Sequence, residues 1–429
     1  MKTGRVNDIK MLLFTAGLGV TAGAIVWVFA RLVGLCTGLL WEKLPQALVW
    51  SFLPVIVCAF GGLLIGLVHK KWGDYPEELP VVMGKIKRDR HYDYKPMGAM
   101  LIAAFLPLVF GGSVGPEAGL TGIIAGLCYW IGDNVRFARE RKQEFGQIGE
   151  AVTLGTIFHA PLFGLFAVEE DDLLLRDADR HADTDRQADP HTGTKISRAT
   201  KFALYALALG GAFLAWHILS TLLGKASSGF PRYTELAMQW KDIALLLIYI
   251  PAGVVLSLLF SLFEKCLGAA ADRISVIARE TAGGVVIGLV GMELPMVLFS
   301  GEEQMSALAE TFGRYTPHFL IGVCLLKLAL TAFSIKFGFK GGHFFPLIFA
   351  CSCLGFGLGM LFFGAVSGHL VFAAGCVTAA TLGAQLRKPV AVAMLGLLCF
   401  PVRMILILFI AAALAGWLAG RFDNALKHH

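Results

Sequence analysis

Charge is what this sequence has least of. Only 16% of its 429 residues are Asp, Glu, Lys or Arg, where a soluble chain carries about 25%. With 56% hydrophobic residues, that scarcity excludes a disordered chain and an ordinary soluble enzyme. Metal-ligand spacing is also missing. The nine cysteines sit nearly all inside or beside apolar runs, Cys351 and Cys353 are the only close pair, and no histidine stands near them at ligand distance. They are expected to be small packing residues, with no disulfide scaffold, metal or other cofactor. The sequence contains no H-E-x-x-H, no G-x-S-x-G and no paired carboxylates inside an apolar run, so membrane-embedded hydrolysis is excluded and no enzyme is expected. Its 50 glycines show no three-residue period, which rules out a collagen repeat.

What is present is apolar sequence, with a mean hydropathy of +0.68. Together with the glycine content this predicts an all-α polytopic membrane protein with close helix contacts, embedded in a lipid bilayer. Apolar stretches run over 11–41, 48–68, 97–131, 148–168, 201–224, 243–265, 284–299, 319–335, 345–365, 369–386 and 389–420. The first is too long for the apolar region of a signal peptide and reads as a membrane helix. The net charge of +6 is held in short basic linkers, as expected of cytoplasmic loops, and calls for no nucleic acid. A multi-pass protein of a bacterial plasma membrane is expected. The polar linker 169–200 is rich in Asp and Arg and reads as solvated chain.

Two segments repeat. Gly111-Gly112-Ser113-Val114-Gly115-Pro116 and Gly341-Gly342-His343-Phe344-Phe345-Pro346 share the pattern G-G-x-x-x-P, and Pro161 and Pro389 follow each at similar intervals. Upstream, Glu77-Glu78 and Glu302-Glu303 keep the same order. The chain therefore divides into two homologous halves, 1–225 and 226–429, and such halves place a transport site between them near mid-membrane. Glycines let the backbone turn and approach a ligand, while proline in a first helical turn removes a donor that has no partner. The remaining N–H groups and the helix dipole favour an anion. Expected site residues are Gly112, Ser113, Val114, Gly115, His343, Phe344 and Phe345, their amides aimed at one shared cavity.

These segments resemble those of the chloride channel/transporter (CLC) family. Gly112 to Pro116 is similar to its G-[KR]-E-G-P, Gly341 to Pro346 to its G-G-x-F-x-P, and Gly73-Asp74-Tyr75-Pro76-Glu77 to its G-S-G-I-P-E. Phe158 to Gly164, followed by Glu169-Glu170, resembles F-N-A-P-L-A-G and its acidic pair. The resemblance implies a CLC-like fold of two inverted-topology halves with broken and re-entrant helices. It also implies a homodimer with one pathway per subunit for an inorganic anion such as chloride, with Gly73, Asp74 and Tyr75 joining the anion site.

The departures matter as much. Val114 stands where the family has its gating glutamate, and no tyrosine follows Tyr315, so the usual side-chain ligands are missing. A carboxylate at Asp74 must be paired, protonated or turned away from an anion path. Glu117, one helical turn after Val114, reads either as a first-turn helix carboxylate or as a replacement gate and proton carrier. Glu169, Glu170 and Asp171 lie where the family has its inner proton-transfer acid. The leading expectation is passive anion conduction without proton coupling; the alternative is anion/proton exchange through Glu117 and one of those three acids.

Overall fold

Facing pairs of glycines four residues apart draw the two halves of the chain together. In α2 (Leu53–Trp72), Gly62 and Gly66 lie against Glu280 and Ile277; in α9 (Val276–Glu293), Gly284 and Gly288 lie against Cys58 and Val55. A side chain on Gly62 or Gly284 would overlap the other helix's backbone, so this seam requires small residues, as in tight helix pairs within lipid. The computed structural model describes residues 2–48, 50–78, 81–82, 84–85, 92–134, 142–170, 198–226 and 229–427. Asp171 and most of the polar linker lie outside them.

The other main helices are α1 (Lys2–Gly38), α3 (Met97–Val109), α4 (Glu117–Asn134), α5 (Lys142–Ile157), α6 (161–170) and α7 (Arg198–Leu223) in the first half. The second half adds α8 (Leu246–Ala271), α10 (Glu302–Thr311), α11 (Pro317–Lys336), α12 (Phe344–Phe363), α13 (Ser367–Leu386), α14 (Pro389–Gly396) and α15 (Ile405–Lys427). Among the described residues, eight helices are long and apolar enough to cross a bilayer. Proline at the first or second position opens α2, α11 and α14, where its missing N–H costs nothing. Thr316 adds a side-chain cap to α11 by accepting the Phe319 N–H at 3.3 Å.

Four apolar stretches prove to be broken. The 97–131 stretch breaks at 110–116, as its glycines predict, and 284–299 ends in a short 3₁₀ turn at Pro295–Val297. The other two, 148–168 and 389–420, break at 158–160 and 397–404; hydropathy reads straight through these gaps because their residues are as apolar as the helices they interrupt. Helices α12 and α13 are almost wholly buried, whereas α7 and α15 turn most of their apolar surface outward. That division puts α12, and the loop that begins it, at the centre of the molecule.

Candidate anion-binding site

The two repeated loops meet at that centre. Gly115 and Gly342 form an isolated antiparallel bridge, with the Gly115 N–H donating to the Gly342 carbonyl at 2.7 Å and the Gly342 N–H to the Gly115 carbonyl at 2.8 Å. Their backbones lie together because neither carries a side chain; a methyl on Gly115 or Gly342 would overlap the Glu117 carboxylate.

Each loop then takes a different part. In the first, every expected donor is already engaged: the Gly112 N–H donates to Pro107 O at 2.8 Å, Ser113 to the Ser334 hydroxyl at 3.3 Å and Val114 to Gly112 O at 2.8 Å. The expectation that these amides point into a shared cavity fails for that reason. The Ser113 hydroxyl is likewise engaged, 3.0 Å from Thr331 Oγ1, and Val114 is fully buried against Gly341. In the second loop, donors do remain. Phe344 and Phe345 start α12, and their N–H groups donate to Glu117 Oε1 at 2.8 and 3.4 Å.

Glu117 is itself fully buried. Its other oxygen, Oε2, has no hydrogen-bond partner. A carboxylate on helix N-terminal amides occupies the seat that dipole and donors prepare for an anion. Charge-assisted bonds of this kind contribute roughly 1.5–3 kcal/mol each, while the orphaned oxygen has given up solvation with no bond in return. The aromatic rings of Phe158 and Phe230 pack on Phe345 at 4.9 and 5.0 Å and wall the seat with apolar surface. His343 precedes α12, and its ring packs on Phe260 and Phe344.

A cavity of about 160 Å³ is lined by Pro116 and Phe345, chain neighbours of the seat's residues, with His159, Glu302 and Glu303 among its other walls. The turn after α2 meets the approach to the second loop at Lys340. There the amides of Gly73 and Tyr75 are spent on His69 O and Gly73 O. Asp74 is largely exposed and pairs with Lys340 Nζ at 2.5 Å. Burial alone would raise the Asp74 carboxyl, but the Lys340 ammonium outweighs it and holds the group below the usual carboxylate range. The turn therefore meets the second loop through an ion pair rather than through amides.

Of the inner acids, Glu170 accepts the Val390 and Ala391 N–H groups at 3.0 and 2.7 Å, capping the start of α14, and Glu169 is half-buried beside it. Two features escaped the sequence reading. Lys327, fully buried in mid-α11, donates to the carbonyls of Val297, Leu298 and Phe299 at 3.0, 3.1 and 2.6 Å. His69, Asp74 and Glu280 have the spacing of cation ligands, but the His69 ring nitrogens are already bonded and Arg279 and Lys340 supply the positive charge. They form an ion-pair network. A lone lysine or histidine in an apolar run carries no local sign of such partners.

The profile of the family described as "Voltage gated chloride channel" matches residues 61–181 and 191–420. The chain belongs to that family. Membership makes it a multi-pass integral membrane protein of an anion-transport family whose members are transporters or channels rather than enzymes. Among bacterial relatives it is similar to the "Putative ion-transport protein YfeO" of Salmonella paratyphi A, 23% identical over 79% of this chain and 77% of that one. The YfeO of Escherichia coli O17:K52:H18 is also 23% identical, over 82% and 79%. In fold it resembles a CLC-type fluoride/proton antiporter, with a TM-score of 0.70 at 18% identity and coverage of 96% and 95%. A slow cyanobacterial Cl⁻/H⁺ antiporter gives 0.72 at 16%, with 94% and 93% covered. The family's fold of broken helices thus accounts for the breaks in α3–α4 and α5–α6.

Proposed function

We propose that the protein passes inorganic anions such as chloride down their own gradient through the amide seat at the start of α12, with Glu117 as the occupant each anion must displace. The observation that carries this reading is the bond from the Phe344 and Phe345 N–H groups to Glu117 Oε1. An anion entering the seat would take those same donors, so carboxylate and anion compete for one place. Protonation turns the carboxylate into a weaker acceptor with no charge to balance the dipole, so acid releases it and opens the seat. Val114, at the family's gate position, has no titratable atom and a stiff side chain; the gate has moved one helical turn along.

The second reading, anion/proton exchange, is favoured by two solved structures of the same fold, each described as an antiporter. Exchange needs a second acid that gives and takes protons from the cytoplasm. The candidates are Glu169 and Glu170, the latter accepting two amides at the start of α14, with Asp171 beyond the described residues. The outward apolar faces of α7 and α15, including Leu214, Ile218, Leu406 and Leu414, suit lipid and a second copy of the chain in a homodimer.

Purified protein in liposomes, given a chloride gradient at a clamped potential, tests both. The expected result is chloride efflux that rises as pH falls, without uphill proton movement, and that becomes faster and pH-independent in Glu117→Gln. Uphill proton movement in the wild type, lost in Glu117→Gln, would establish exchange instead. An unchanged rate and pH profile in that variant would remove Glu117 from the pathway.

A further inference from the structure

We propose that His69 is a positioning residue of the anion pathway, a buried imidazolium that clips the Gly73–Tyr75 turn to α9. His69 ends the buried face of α2. Its Nε2 lies 2.6 Å from the Tyr75 carbonyl oxygen and its Nδ1 lies 2.7 Å from Glu280 Oε1. A carbonyl oxygen only accepts, so Nε2 carries a hydrogen. Glu280 Oε1 also accepts from Arg279 Nη2 at 3.1 Å, which marks it as a carboxylate oxygen, so Nδ1 carries a hydrogen too. With both nitrogens donating, the ring is charged.

The clip joins two segments that feed the seat. On one side it holds the turn whose Asp74 pairs with Lys340, two residues before Gly342. On the other, Glu280 lies against Gly338, whose φ of 92° and lack of a side chain leave room for the carboxylate. The charged groups facing the ring are Glu280 and Arg279 from α9, Asp74 at 3.9 Å from the turn, and Lys340 from the approach to the second loop. Without the ring, the Tyr75 carbonyl and the Glu280 carboxylate lose their shared donor. The Lys340 end of the second loop then loses its support, and flux falls.

Two measurements on the full-length protein test this. The first is independent of transport: in ¹⁵N-histidine-labelled protein in nanodiscs at pH 7.5, the His69 resonances, identified by their loss in His69→Asn, should show two protonated nitrogens. One unprotonated nitrogen would overturn the proposal. The second rests on the anion-transport reading: adding His69→Asn to Glu117→Gln protein should drop chloride flux at least threefold at pH 7.5, because the single amide nitrogen of asparagine cannot reach both the Tyr75 carbonyl and Glu280. An unchanged flux would also overturn the proposal. If Glu117→Gln protein by itself carries no chloride, the transport reading fails while the resonance measurement still decides the state of His69.

Discussion

The loops at Gly111–Pro116 and Gly341–Pro346 share one pattern and lie side by side, yet they do opposite things. The first spends its amides on Pro107, Gly112, Ser334 and Gly342 and contributes a carboxylate from one residue past its proline. The second keeps the amides of Phe344 and Phe345 free of backbone partners and receives that carboxylate. The repeated glycines and proline set the backbone path in both. What each loop offers an ion depends on its neighbours: a hydroxyl-bearing helix, α11, faces the first, and a glutamate faces the second. Symmetry of pattern is therefore no guide to symmetry of role.

The sharpest way to break the contrast is to fill the space where the loops touch. Gly342→Ala places a methyl on the Glu117 carboxylate, and overpacking of this kind costs about 1–3 kcal/mol. Chloride flux in liposomes should fall by at least ~10-fold, equivalent to about 1.4 kcal/mol of barrier, with a lower melting temperature in detergent. A variant as fast as wild type would mean that the contact does not shape the pathway.

Moving the acid back tests the asymmetry from the other side. Val114→Glu adds a second carboxylate to the first loop, one turn from Glu117, where two like charges disfavour joint ionisation. Flux should slow by about fivefold, roughly 1 kcal/mol, and should depend more steeply on pH than in the wild type. Val114→Gln, which keeps the size without the charge, should show the slowing without the steeper dependence. Equal pH profiles for the two variants would rule out this account.

The smallest effect belongs to a residue that the first loop has committed to structure. Ser113→Ala removes the bond to Thr331, but Thr331 keeps its own bond to Lys327 O at 2.8 Å, so no buried group is left alone. Stability should fall by about 0.5–1.5 kcal/mol, read from the melting temperature, while the flux rate and its pH profile stay put. A change in anion selectivity in this variant would show that the first loop touches the ion after all.

Much of this was legible in the sequence, unevenly. The duplicated G-G-x-x-x-P segments located the centre of the molecule, and pairing was one of the three states expected of Asp74, beside protonation and turning away. The seating of Glu117 on Phe344 and Phe345 was not legible, because the partners are 227 and 228 residues apart and nothing local distinguishes a gate from a first-turn carboxylate. The engaged amides of Ser113 and Val114 were hidden for the same reason, since Ser334 lies in a helix whose facing cannot be read from its own apolar run. Breaks at 158–160 and 397–404 went unseen because hydropathy measures solvent preference rather than backbone path.

Lys327 has a consequence for electroneutrality. Three carbonyl oxygens accept from its Nζ, and only an ammonium has three hydrogens to give. The carbonyl dipoles solvate this cation in place of water, but they carry no net charge to cancel it. Beside the buried His69–Glu280 and His369–Asp242 pairs, Lys327 and an ionised Glu117 add one positive and one negative charge to the interior. On the proposed mechanism Glu117 takes up a proton and leaves; its negative charge is then lost while the positive charge of Lys327 stays, in a medium where uncompensated charge is costly. The vacancy is then worth more to an anion than its amides alone would make it, and one anion restores the balance.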